Sequence, residues 1–368
     1  MKSNIADPLT IMHNDLLRRH RELLTQREPN LSHGNRPRIV GYQESGFTSL
    51  QSCLASAGIG NSVIEDCIIC IQEDSRLKFF YSLPRSAFIG SLLGNTIHQS
   101  FFKSSSNSTM EITALLNVFT HLLDGLVDET PEIFSYDREG ITETLDRILF
   151  DEDFSREELN YYYPVVTLMY LIAKECIDRI RQAEGWSTND FLKEQFADAV
   201  RAALRAEYES MKYQQMHELR IDIDNCRRVL NEKSENSLWA KFLIPFCMHG
   251  LPDDFNLRQY RQYVHLYGRY VGWIDDIRDI PEDIQAGRWS NVLLTLFEKV
   301  KENKISQLAE LKWVLMTRLA CDEAIDELVE TSVRFYEQVV ENLITLDLDC
   351  SPMLTLLSDL NEAVFELG

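Results

Sequence analysis

GRYVGWIDDIRDIPEDIQAGRWSN, residues 268–291, sets Asp275, Asp276, Asp279 and Asp283 among Val271, Trp273, Ile274, Ile277, Ile280 and Ile284. At about 3.6 residues per turn, Asp275, Asp279 and Asp283 fall one turn apart on one helix face. Pro281 ends or kinks that helix near Ile280, which sets Asp283 apart from the regular row. Carboxylates in such a row lie about 5–6 Å apart and repel one another. On one helix alone, the row reads first as a solvated acidic face. A divalent cation would also remove the conflict: Mg²⁺ takes oxygen ligands and completes its shell with water and substrate phosphate.

A second row changes the balance. The apolar stretch from Met110 ends in FTHLLDGLVDETPE, with Asp124 and Asp128 one turn apart, Glu129 adjacent, and Leu122, Leu123, Leu126 and Val127 around them. Carboxylates at a helix C-terminus oppose the macrodipole, which favours a nearby cation. Acidic rows on two long helices are how bundles build metal sites, from side chains projecting inward. A di-iron or dimanganese bundle would need Glu-x-x-His pairs. None is present: His98, His217, His249 and His265 follow Asn95, Gln214, Phe246 and Gln262 at that spacing. An oxygen-only set favours Mg²⁺ or Mn²⁺, and the usual partner of Mg²⁺ is a phosphate or diphosphate.

The 268–291 segment resembles the second aspartate motif of the class I isoprenoid synthases: trans-prenyltransferases, squalene and phytoene synthases, and terpene cyclases. LLDGLVDE resembles their first motif, with Gly125 where a second Asp would stand, and NEKSENSLWAKF (231–242) is similar to their lysine-bearing helix. The resemblance implies an all-α, single-domain helical bundle around a central cavity. It implies that Asp124, Asp128 and Glu129 hold Mg²⁺ from one side and Asp275, Asp276 and Asp279 from the other, with Lys233 on the leaving diphosphate. Up to about three Mg²⁺ ions, or Mn²⁺, would be held.

The implied activity is that of a class I terpene synthase, a carbon–oxygen lyase that ionises and cyclises a linear prenyl diphosphate. The alternative is a prenyltransferase coupling an allylic diphosphate to isopentenyl diphosphate, a second prenyl chain or a non-isoprenoid nucleophile. Cyclisation comes first because the paired arginines and Gly-Lys segment of chain-elongating members are not evident; TPEIFSYDREG offers only Arg138. A helical protein that keeps the pocket without catalysis is a third reading, for which Gly125 speaks. Aromatic faces attract cations, so Phe119, Trp239, Phe246, Tyr270 and Trp273 are candidates to line the substrate pocket, although each also suits plain core packing. His121, about one turn before Asp124, is a candidate base.

The 368 residues are 45% hydrophobic with a formal charge of -21. That balance suits a globular core and argues against nucleic acid or an anionic membrane surface as partner. No run of about 20 apolar residues suggests a transmembrane span. Cys53, Cys67, Cys70, Cys176, Cys226, Cys247, Cys321 and Cys350 are scattered through helical pattern, as free thiols in a reducing, cytoplasmic setting are. Residues 1–46 read as a polar N-terminal arm with a helix-like stretch at Ile11–Leu24, in which His13, His20 and His33 carry no signal, and 47–368 as one α-helical domain. Apolar spacing predicts successive helices from Ile64 to Phe365, with separate ones at Ile221–Asn231 and Ser237–Cys247. Oligomeric state is left open, a homodimer included.

Overall fold

The apolar periodicity produces helix after helix. The computed structural model describes residues 8–27, 54–55, 58–132, 137–151, 154–155, 159, 161, 163–213, 216, 221–253, 255–300, 307–346 and 349–366. Among them are fifteen α-helices and no strand. In chain order they are α1 (Pro8–Arg27), α2 (Asn61–Glu73), α3 (Leu83–Phe102), α4 (Asn107–Glu129), α5 (Arg138–Phe150), α6 (Pro164–Arg181), α7 (Glu184–Thr188) and α8 (Asp190–Ser210). Then come α9 (Ile223–His249), α10 (Leu257–Arg278), α11 (Ile280–Ala286), α12 (Asn291–Glu298), α13 (Leu308–Leu319), α14 (Asp322–Thr345) and α15 (Ser351–Glu366). A 3₁₀ segment, Ser75–Ser82, leads into α3.

α4 carries the first acidic row. Ser106 caps it by accepting from Thr109 N, and Ile112, Leu115, Leu116, Phe119, Leu122, Leu123 and Leu126 are buried along it. It packs along α3, α6 and α9. By length and composition α4 passes as a membrane span, with a mean hydropathy of 1.3, but 67% of that window is buried inside the bundle, as in a core helix.

α9 is a single helix where the sequence predicts two. NEKSEN reads as a break because it is polar, yet it continues the helix and supplies a charged face: Lys233 turns to α4, while Glu235 pairs with His265 and Arg269 of α10. Polarity there marks a lined interior, not a loop. α10 crosses α9 closely because residue 268 is glycine; a Cβ on Gly268 would lie 2.9 Å from the Glu235 Cα. The same crossing sets Gly272, one turn further along, against Ser234 beside Lys233. α5 was not anticipated; Ile141, Leu145, Ile148 and Leu149 nevertheless give it a regular buried stripe.

The stretch read as a polar arm contains α1, whose Leu9, Leu16 and Leu17 are buried in one cluster with Trp273, Ile277, Ile280 and Ile284. α1 lies against α11 and α14. The rest of that stretch, 1–7 and 28–46, lies outside the described residues. Cys67, Cys70, Cys226, Cys247 and Cys321 are free thiols, and burial pushes that of Cys67 up to about 12. Cys53 lies outside the described residues.

Candidate active site

Two acidic walls and a lysine face converge. Lys233 Nζ pairs with Asp124 and lies 3.0 Å from Glu207 Oε2 and 3.7 Å from Asp128 Oδ1. Across the cleft, Arg278 holds Asp275 at 2.7 Å and Asp279 at 2.8 Å. Arg288, just beyond α11, binds Glu129 at 2.9 Å and approaches Asp283 at 3.4 Å. The walls feel each other: the Asp124 charge acts on Asp275, and that of Asp128 on Asp283. These carboxylates are crowded by protein yet reached by water, the Asp124 side chain being 40% and that of Asp275 56% exposed. That combination describes the wall of a cleft.

The electrostatics follow from crowding. Burial, and then neighbouring carboxylates, push Asp128 and Asp275 up to about 6, Asp283 up to about 7 and Glu207 up to about 8. Asp124 goes the other way, held below the usual range by the charge of Lys233 and its hydrogen bond. Lys233 is raised well above an ordinary lysine by the same three carboxylates. Lys233→Met therefore leaves Asp124, Asp128 and Glu207 facing each other without a cation. Scaled down for their partial exposure, the expected loss is about 1–2 kcal/mol. By calorimetry that is a melting temperature roughly 1–3 °C lower.

Asp276 stands apart from the row. Its carboxylate accepts from Asn291 N at 2.7 Å, so it secures the start of α12. The one-residue offset from Asp275 turns it to the other side of α10. Asp283, beyond the proline, does face the first row through Asp128.

Of the aromatic candidates, Phe119 is buried in the main core and Trp273 packs edge-on to Phe335 in the second cluster. The Tyr270 hydroxyl donates to Asn361 Oδ1 and its ring meets Tyr336. Trp239 and Phe246 are buried and pack on Tyr260, with Phe242, Tyr263 and Tyr267 continuing that aromatic cluster toward the acidic end of α10. His121 is fixed to Ser82 Oγ at 2.5 Å and lies 3.3 Å from Phe79 O, and burial lowers its pKa. Arg227 and Arg228 are spent on Glu298 and Glu232.

Four residues escaped the sequence. Lys241 stands two turns beyond Lys233, with Ser237 between them accepting its Nζ at 3.2 Å. Burial pulls it down to about 8, and the charges of Asp124 and Glu207 reach it. The four-residue spacing of Lys233, Ser237 and Lys241 was the available signal. Glu207 lies on the face of α8 that Phe196, Val200 and Leu204 bury, where a charge is out of place. Arg85 is within electrostatic reach of Asp275 and His121. Arg288 gave no sequence signal, because it meets Glu129 only through the fold.

Among the described residues no three Asp, Glu, His or Cys side chains already converge as a metal cage. The donor set still fits Mg²⁺. It is oxygen-only, doubly stocked, and its charges are balanced by mobile-headed Lys and Arg side chains that a cation can displace.

Superposed on solved structures, the bundle matches heptaprenyl diphosphate synthase from Staphylococcus aureus at a TM-score of 0.51 and 14% identity, covering 83% of this chain and 98% of that one. The fold is that of the class I isoprenoid synthases. Geranylgeranyl pyrophosphate synthetase from the archaeon Geoglobus acetivorans matches equally, at 0.51 and 13% identity, over 88% of this chain and 99% of that one. Linalool/nerolidol synthase from Streptomyces clavuligerus is a more distant likeness, at 0.45 and 12%, over 77% and 86% of the two chains. No protein-family model matches the sequence, and no curated protein is similar to it. At such identities the likeness concerns the fold, and the chemistry has to be argued from the cleft.

Proposed function

We propose that this protein ionises an allylic prenyl diphosphate and transfers the resulting carbocation to a second substrate. The observation that carries the first half is the convergence of α4 and α10: acidic rows far apart in sequence act on each other, with Lys233 paired to Asp124 of the first and Arg278 to Asp275 of the second. Asp124, Asp128, Asp275 and Asp279 would hold Mg²⁺, and Glu129 and Asp283 flank them. When bound, the cation supplies Lewis-acid neutralisation of the departing diphosphate. Lys233 and Arg288, released from their carboxylates, donate hydrogen bonds to its oxygens. The C–O bond breaks with its electron pair passing to the diphosphate oxygen. The allyl cation stays in the aromatic interior of Trp239, Phe242, Phe246 and Tyr260, whose faces attract positive charge and exclude water.

Transfer is favoured over cyclisation by Arg85 and Lys241. They place positive charge near His121, on the flank of the first row, where an acceptor's own diphosphate can bind. The sequence argument for cyclisation rested on a lack of basic partners, and these two supply it. The two solved structures at a TM-score of 0.51 are also prenyl-chain synthases by name. The acceptor's double bond gives its π pair to the cation, forming the new C–C bond, and a neutral His121 is placed to take the proton then lost. Cyclisation is the second reading, favoured by the aromatic interior. The deciding experiment incubates geranyl, farnesyl and geranylgeranyl diphosphates with Mg²⁺, with and without isopentenyl diphosphate. A longer diphosphate formed only with isopentenyl diphosphate supports transfer; hydrocarbon or alcohol without it supports cyclisation; no diphosphate release overturns both.

The pH response has a definite sign. Asp128, Asp275 and Asp283 are raised to about 6, 6 and 7 from a model-compound value of 3.8, so folding without metal loses stability as pH climbs through that window. Cation binding needs the deprotonated forms. The Mg²⁺ concentration for half-maximal activity is therefore expected to fall as pH rises to about 7, with protons released on binding. Calorimetric titration in buffers of different ionisation enthalpy measures that release.

A further inference from the structure

α10 breaks at Asp279, two residues ahead of a proline. In a continuous helix the carbonyl of Ile277 would accept from the N–H of residue 281. That residue is Pro281, which has no N–H and whose ring pushes the carbonyl four residues back out of line. The neighbouring bonds survive: Asp279 N donates to Asp275 O at 2.9 Å and Asp283 N to Asp279 O at 2.8 Å. Pro281 leaves Ile277 O, between Asp275 and Asp279, without its helical donor, and a buried acceptor without a donor is costly.

The missing donor comes from the other end of the chain. His13 of α1 sets its Nε2 2.8 Å from Ile277 O. The ring is buried, 8% exposed, and Leu9, Leu16 and Leu17 of the same helix pack into the cluster that holds Ile277, Ile280 and Ile284. A leucine at position 13 would fill that space equally well; only a donor answers the carbonyl.

We infer that His13 is a positioning residue for the second acidic row: its Nε2–H replaces the bond that Pro281 cannot make and so fixes the turn that aims Asp275 and Asp279. The inference rests on the reading of those aspartates as cation ligands. It makes α1 part of the site's support rather than an appendage, and it assigns the kink a use. The proline turns Asp283 toward the first row, and the imidazole keeps the preceding turn from fraying.

The test follows the Mg²⁺ dependence of the rise in melting temperature of the full chain in the presence of inorganic diphosphate, which needs no knowledge of the organic substrate. His13→Ala is expected to raise the half-maximal Mg²⁺ concentration about tenfold, the scale for losing a group that orients a metal ligand. His13→Gln, whose amide N–H sits where Nε2 does, keeps it within about twofold, whereas His13→Asn, which mimics the other ring nitrogen, does not. In a Pro281→Ala chain the backbone N–H is restored, and His13→Ala costs less than about twofold. A pure packing role would give the same loss in both backgrounds, and that result overturns the inference alone. A wild type with no Mg²⁺–diphosphate response, or one that Asp275→Ala leaves intact, overturns the reading of the acidic rows and the inference with it.

Discussion

Asp275→Ala combined with Asp279→Ala is expected to lower Mg²⁺-dependent diphosphate release about 10³-fold or more, the scale for removing groups that stabilise charge developing in a transition state. The same double variant is expected to melt within about 3 °C of the wild type. The two expectations come from one fact. Burial and the charges of Asp279 and Asp124 push Asp275 up to about 6, so in the absence of a cation its ionised form is a burden on the fold. Arg278 loses both partners but is 28% exposed and can turn its head to water. An inactive protein that stays folded is the signature of residues kept for chemistry. Steady-state diphosphate release and scanning calorimetry on the same preparation check both halves. Release that survives the double substitution would remove these aspartates from the metal assignment.

Gly125 is where sequence and structure differ most. By motif it is a lost aspartate; in space it is a seat. The Phe79 ring lies over it, and a Cβ there would sit 2.3–2.6 Å from three ring carbons. The 3₁₀ segment bearing Phe79 is also tied to α4 through His121, whose Nε2 lies 2.5 Å from Ser82 Oγ and 3.3 Å from Phe79 O. Gly125→Ala is expected to cost about 2 kcal/mol through overpacking, a fall in melting temperature of roughly 2–3 °C. Gly125→Asp, which rebuilds the two-aspartate motif on paper, is expected to lower activity, because it expels Phe79 and unsettles His121. Adding Phe79→Ala is expected to recover most of the stability lost in Gly125→Ala. Additive losses in that pair would mean the ring is not what excludes a side chain at 125.

The bundle was legible because helices bury stripes, and stripes leave a period in the sequence. The acidic rows were legible for the same reason: like charges one turn apart on an apolar helix have no packing purpose. The misreadings share a cause as well. NEKSEN was taken for a break since it is polar, but a helix that lines a cleft is polar on the lined side, and Lys233 stands in its middle. The helical spacing of Ile11–Leu24 is legible inside a polar stretch, but its docking is not: the buried face of α1 needs only Leu9, Leu16, Leu17 and Leu24. Tyr270 and Trp273 sit next to the second row in sequence but turn to Tyr336 and Phe335 on α14, because neighbours along a helix point about 100° apart.

What the amino-acid order settled by itself was local: which segments coil, which faces are oily, and that two of those helices carry carboxylates at a spacing that asks for a cation. Whether the two rows face each other was a tertiary matter, decided by the α9–α10 crossing at Gly268 and by the packing of α4 against α9. So were the partners that no spacing predicts: Glu207 under Lys233, Arg288 on Glu129, Asp276 holding α12, and His13 answering the carbonyl that Pro281 leaves open. Periodicity reports which side of a helix is buried. It carries no information about which other helix does the burying, and ion pairs and hydrogen bonds are made between helices.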